Sequence, residues 1–267
     1  MTTETTTYPS PAAPGRGPLG ATLRMIPRGL RALTAKHARR HLREPGTLLI
    51  AVLPLGLLLI FGNIPSFRKP SAPLGGRTTL DVFVPTFAAM MPLMLALAVL
   101  PGVMAAFRER NALRRFSVSP VPPAGMLASL LLIITALAAV GVALVTGIGA
   151  LAFGVRAPGG MGTVVAAFVL GSTAVLALGL VVAAVAPTAA VANGIGLPMM
   201  FVNFFFSGLY VPIADLPHWL QRIGEFVPFG AVMDAWSREG ALWQHLLVLA
   251  GYTLLGSVAA AKLFRWE

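Results

Sequence analysis

Apolar residues along this chain come in six long runs, separated by short polar or proline-rich breaks. The runs cover about residues 47–64, 82–107, 125–155, 161–186, 194–211 and 241–263. A helix needs roughly 17 to 25 apolar residues to cross the hydrocarbon core of a bilayer. Every run meets that length. The pattern therefore predicts an all-α integral membrane domain of six transmembrane helices over residues 45–267. Pro85, Pro92 and Pro101 fall inside the second run and are expected to bend it. The third run is longer than a straight crossing needs, so it is expected to tilt or to fray at its glycine-rich end. Only Arg156-Ala157-Pro158-Gly159-Gly160, a tight-turn signal, separates the third run from the fourth. No internal repeat of fixed period is visible.

Residues 21–44 follow a different rule. On a helical wheel, Leu23, Ile26, Leu30, Leu33, His37 and His41 fall within about 80° of arc. Arg24, Arg28, Arg31, Lys36, Arg39, Arg40 and Arg43 occupy the rest. The pattern predicts a basic amphipathic helix starting near Pro27, where proline fits a first turn. Such a helix lies in the membrane surface, its basic face towards anionic headgroups or a protein partner. The same charges also act as a topology signal. Residues 1–20, rich in Thr, Pro, Gly and Ala and without an apolar run, read as a disordered tail rather than a signal peptide.

Composition agrees with the pattern. Of 267 residues, 57% are hydrophobic and only 11% charged, against roughly 45–50% and 25% in soluble chains. A soluble enzyme is therefore excluded as the working class. The net charge is +11, but the excess sits in short segments beside the apolar runs, where membrane proteins place it. No nucleic-acid partner is expected. With the N-terminus inside, fourteen Lys and Arg fall on the inner side and six on the outer. That asymmetry predicts cytoplasmic termini and a multi-pass protein of the inner (plasma) membrane.

The chemistry that is missing narrows the field further. No Asp, Glu, Lys, Arg or His lies near the middle of any run, whereas ion-coupled transporters usually carry ionisable relays there. There is no cysteine, and no lysine follows a glycine, so a phosphate-cradling P-loop is absent. His37 and His41 are four apart, but no Glu follows His37, and Arg39 and Arg40 between them would repel a cation. No catalytic residue, metal site or cofactor of this chain's own is expected.

Three polar segments carry information. The loop after the second run reads Arg108-Glu109-Arg110-Asn111-Ala112-Leu113-Arg114-Arg115-Phe116-Ser117-Val118-Ser119-Pro120-Val121-Pro122. Leu113 and Phe116 are three apart, which gives a short helix one apolar and one charged face and suits it to docking on a soluble partner. This segment resembles R-E-K/R-G-T-L-R/E-R/Q-L-x-x-S/T-P-V/L in the permease subunits of type-2 ATP-binding-cassette (ABC) exporters. Asn111-Ala112 stands here for Gly-Thr, and Phe116 for Leu. Residues Phe204 to Leu220, including Ser207-Gly208, Pro212 and Leu216-Pro217-His218-Trp219-Leu220, resemble F-x-S-G-x-x-x-P-x-x-x-L-P-x-W-L of that family. Val227-Pro228-Phe229-Gly230-Ala231-Val232-Met233-Asp234-Ala235 is similar to its N-P-x-x-Y/H-x-V/L-D/E-A/L, with Val227 in place of Asn.

The resemblance implies a drug- or antibiotic-export-like permease without ATPase activity of its own. It would be a homodimer paired with two copies of a separate ABC ATPase subunit, which would bind the ATP and Mg. The 21–44 helix, with Arg24, Arg28, Arg31, Arg39 and Arg40, would lie against that ATPase and membrane lipid. Residues Arg108, Glu109, Arg110, Leu113, Arg114, Arg115 and Phe116 would form the coupling helix, and the turn from Pro187 to Asn193 a weaker contact. Residues 212–240 would form two short re-entrant helices in the outer leaflet, holding Pro217, Trp219 and Asp234. Independently of the resemblance, Trp219, Leu220, Ile223 and Phe226 make an apolar stripe at helical spacing, Trp236 suits an interface, and prolines break the segment.

Near the fifth run, Asn193 and Asn203 are expected to hydrogen-bond to neighbouring helices or to touch cargo. Phe201, Phe204, Phe205 and Phe206 are candidates for a greasy path, a dimer seam or plain packing. Gly171, Ala174, Gly179 and Ala183 would permit close helix approach. The cargo expected from such spans is amphipathic or hydrophobic. The alternative is a membrane scaffold or assembly factor that recruits a cytoplasmic partner without transporting anything.

Overall fold

A computed structural model describes residues 45–109, 123–156, 161–208, 216–237 and 242–263. The expected tail at 1–20 and amphipathic helix at 21–44 lie outside the described residues. Eight helices are described: α1 (Pro45–Gly62), α2 (Thr79–Glu109), α3 (Pro123–Phe153), α4 (Met161–Val185), α5 (Ala189–Phe205), α6 (His218–Gly224), α7 (Pro228–Ser237) and α8 (Leu242–Leu263). Two 3-10 turns, Pro65–Arg68 and Ala72–Leu74, lie between α1 and α2. Among the described residues, α2, α3, α4 and α8 contain segments long and apolar enough to cross a membrane, while Val52–Gly62 and α5 are shorter apolar helices. Each of the six runs thus coincides with a helix along most of its length, and the fifth is the one that departs from its expected bounds.

Three boundaries move. The second helix starts at Thr79 rather than near 82, because Thr78 caps it. The Thr78 hydroxyl accepts from Asp81 N (3.1 Å), and the Asp81 carboxylate accepts from Thr78 N (2.8 Å), a reciprocal capping box. The fifth run begins earlier and ends earlier than expected. Thr188 accepts from Val191 N at 3.3 Å and starts α5 at Ala189. The expected cytoplasmic turn at 187–193 therefore shrinks to Ala186–Thr188, and Asn193 is helical. At the far end, helix gives way to turn at Phe206.

Helix α2 is the axis of the fold. Phe87, Leu93, Leu95, Leu97, Leu100 and Met104 are fully buried on it. Its prolines do not break it. Pro92 and Pro101 have no N–H to donate, and the Pro101 ring crowds the carbonyl four residues back, on Leu97. Between them the helix widens into a π turn at Leu95–Val99. Two neighbouring helices touch the backbone at this turn. A Cβ added to Gly179 of α4 would come within 2.1 Å of the Ala96 carbonyl oxygen, and one added to Gly196 of α5 equally close to that of Leu97. Glycine alone allows these approaches, and the Cα–H groups supply weak contacts to carbonyls that the π turn displaces.

The expected small-residue stripe on α4 is buried throughout: Ala174, Ala183 and Gly179, with Gly171 pressed against Val232 of α7. Helix α8 packs along α4, and α7 wedges among α2, α4 and α8. On the other side, α3 packs on α1 and α2. The backbones of α3 and α4, although consecutive in the chain, stay apart.

Candidate functional site

The two ends of α2 carry its only ionic groups, and both are engaged with the backbone of other elements. At the far end of the helix, Arg108 reaches across to α4. Its Nη1 donates to the carbonyls of Ala183 (2.6 Å) and Ala186 (3.0 Å). These carbonyls belong to the C-terminal end of α4, where the last turn leaves acceptors unpaired and a cation is favoured. The next residue does the reverse. Glu109 Oε1 accepts from Ala189 N at 2.8 Å, the first amide of α5, where an anion is favoured. Consecutive side chains of opposite charge therefore hold the two ends of the Ala186–Thr188 turn. Arg108 is half-buried and Glu109 exposed, so the second contact stands in reach of solvent or of another protein.

Of the residues expected to couple with a partner, Arg108 and Glu109 are thus brought together with the turn after α4. Arg110, Leu113, Arg114, Arg115 and Phe116 lie outside the described residues, as do Arg24, Arg28, Arg31, Arg39 and Arg40.

The polar groups of α5 divide. Asn203 is buried, at 4% exposure. Its Nδ2 donates to Met199 O (2.9 Å) and its Oδ1 accepts from Phe229 N (3.3 Å), satisfying an amide in the first turn of α7. That arrangement makes Asn203 a link between helices rather than a group facing open space. Phe204 is buried beside it, edge-on to Phe229 at 5.9 Å, and Phe205 meets Phe206 edge-on at 5.2 Å. Phe201 behaves differently, with 55% of its surface exposed. Asn193 is also exposed, with its Oδ1 over Gly102 of α2, where an added Cβ would come within 3.1 Å. Together with Val191, Ile195, Leu197 and Val202, Phe201 gives α5 an uncovered apolar face.

At the opposite end, α6 and α7 are the two short helices expected between the fifth and sixth runs. They join through a tight corner, in which a Cβ on Gly230 would come within 2.3 Å of the Gly224 carbonyl oxygen. Pro217 is the N-cap residue of α6. Trp219 (64% exposed), Ile223 and Phe226 face outward from this unit. Phe229, Val232 and Met233 of α7 face inward, and Asp234 is half-buried. Among the described residues no group of three His, Cys, Asp or Glu could hold a metal ion.

Sequence reasoning did not identify the partners of Arg108 and Glu109, because both are backbone groups roughly eighty positions away in the chain. It also missed a cleft of about 730 Å³ between α3 and α4.

The geometry defines a multi-pass helical membrane protein whose central helix ends in a polar clamp on two of its neighbours. The chain matches the model of the family described as ABC-2 type transporter over residues 28–237. It therefore belongs to that family and is the transmembrane component of an ABC transporter. No curated protein matches the chain.

Proposed function

We propose that this chain is the permease subunit of an ABC exporter, working as a homodimer with two copies of a separate ATPase that binds ATP and Mg. The observation that carries the reading is the clamp at the end of α2. Glu109 holds the first amide of α5, and Arg108 holds the last carbonyls of α4. A displacement of the 108–116 segment by an ATPase would then move α2, α4 and α5 as one body, and rigid-body movement of packed helices is how such proteins change access. The membrane part has no relay of its own to supply energy, so the ATPase would supply it.

In this reading the chain crosses the membrane six times with both termini in the cytoplasm, which the charge asymmetry and a helix at each apolar run support. The clamp end of α2 would face the cytoplasm of a cell with this protein in its inner membrane. The 21–44 helix would lie on that surface beside the ATPase, and α6 and α7 would dip into the outer leaflet. The uncovered face of α5, with Phe201, fits the seam with a second copy, and the path beside it would take amphipathic or hydrophobic cargo such as a drug or antibiotic.

Mild-detergent affinity purification from the native host tests the pairing. A P-loop ATPase should co-purify in equal amount, and deletion of residues 110–116 should release it. Recovery of the chain without any ATPase under several detergents would favour a non-transporting scaffold.

A further inference from the structure

The cleft between α3 and α4 is separate from the clamp and from the α5 face. One wall is a single stripe of α3, from Thr135 through Ala139, Val142 and Thr146 to Ala150. The facing wall is the stripe of α4 from Val164 to Leu176. Val84 and Pro85 of α2 floor it, and Trp236 of α7 lines it, edge-on to Phe168 at 6.4 Å. Three of its four hydroxyls are turned back to their own helices. Thr146 donates to Val142 O (2.7 Å), Ser172 to Phe168 O (2.7 Å) and Thr173 to Leu170 O (2.8 Å). The walls are therefore apolar in effect. Exposed Ala139, Ala143, Val165 and Val169 leave the cleft open to whatever surrounds the helices.

One end is charged. Arg77, Asp81 and Arg156 line it. The Asp81 carboxylate is already occupied: Oδ2 accepts from Thr78 N and Oγ1, and Oδ1 from Arg156 N (2.9 Å). The guanidinium groups of Arg77 and Arg156 are exposed and make no hydrogen bond among the described residues. The stripe from Thr135 to Ala150 is about 22 Å long at about 1.5 Å per residue. That exceeds half of the roughly 30 Å hydrocarbon core, so the cleft is long enough to hold one leaflet's acyl chain. An apolar slot headed by two exposed arginines and one engaged carboxylate carries a net positive charge at that end and complements an anionic amphiphile.

We infer that the α3–α4 cleft is a binding site for an anionic phospholipid of the surrounding bilayer, its headgroup on Arg77 and Arg156 and an acyl chain along α3. The inference needs only membrane embedding, and it stands whether or not the chain exports cargo. Trp236 is a built-in reporter. With Trp219, Trp243 and Trp266 changed to Phe, it is the only tryptophan left.

The experiment places this full-length chain in vesicles containing either phosphatidylglycerol or phosphatidylcholine brominated near the head of the acyl chain. Preferential quenching of Trp236 by brominated phosphatidylglycerol is expected, about fivefold in apparent affinity for each arginine near the surface. Arg77→Gln with Arg156→Gln should abolish the preference, and Ala143→Phe should reduce quenching by both lipids. Circular dichroism and size-exclusion profiles identify any variant that fails to fold, in which case the unsubstituted cleft still decides through the lipid comparison. Equal quenching by the two lipids would overturn the site in favour of ordinary annular contact. No quenching by either would overturn it in favour of a cleft covered by a second copy. A preference that survives the double arginine substitution would overturn the headgroup assignment.

Discussion

The two ends of α2 solve the same problem with opposite degrees of commitment. At one end Asp81, buried, closes its own helix through Thr78 and holds the backbone of Arg156 just after α3. At the other, Glu109, exposed, holds the backbone of Ala189 at the start of α5. Each is a carboxylate taking an amide from a distant element. The Asp81 carboxylate takes three hydrogen bonds in a part-buried setting, so losing it leaves several donors without their acceptor at once. The Glu109 contact is one bond at the surface, where water can replace it. The first fits a fixed anchor, and the second fits a joint that a partner can work.

Substitutions sharpen this contrast. Asp81→Ala should be the most damaging to stability, by roughly 3 kcal/mol for a buried charged acceptor. That corresponds to a fall of roughly 10 °C in the melting midpoint of the detergent-solubilised protein, and fluorescence-monitored unfolding measures it. Arg108→Ala comes next, at roughly 2 kcal/mol, since two carbonyls at the end of α4 lose a charged donor in a half-buried setting. Faster hydrogen exchange confined to the last turn of α4 would distinguish this from a global loss. Glu109→Ala should cost about 1 kcal/mol or less, with its main effect on function. Arg156→Ala should change stability least, within about 0.5 kcal/mol, because Asp81 holds the amide of Arg156. An Arg156→Ala loss as large as that of Asp81→Ala would show that the side chain, not the backbone, carries the anchor.

Much of this fold was legible as run length. Five of the six apolar runs are helices within about three residues of where the pattern puts them, because lipid tolerates no unpaired backbone and leaves a long apolar run little choice. The misplaced starts share one cause. Thr78-x-x-Asp81 and Thr188 are capping signals, and counting only apolar residues passes over them, which starts α2 late and reads Ala189–Asn193 as turn. The small residues on α4 were legible as close-packing positions, but the target of Gly179, the π turn between Pro92 and Pro101, was not. A π turn needs the neighbours' positions as well as the prolines. The segment from Arg108 was recognisable from its residues, whereas its clamp was not, since Ala183, Ala186 and Ala189 take part through backbone atoms that any residue would offer. Nor could the α3–α4 cleft be read in advance. Its walls are mostly Ala, Val, Thr and Ser, the same residues that close a helix pair elsewhere in the chain, and a short connection between two helices leaves their separation open.

The most direct test of coupling through the foot of α2 compares the intact chain with Glu109→Ala, each co-purified with the proposed ATPase and reconstituted in vesicles. ATP-driven movement of a panel of fluorescent amphipathic dyes is read alongside the amount of ATPase retained. The expected result is a complex that still forms and still hydrolyses ATP, while dye export falls at least about tenfold, equivalent to about 1.4 kcal/mol of lost coupling. Export at the unsubstituted rate, with the Glu109 contact removed, would contradict the account.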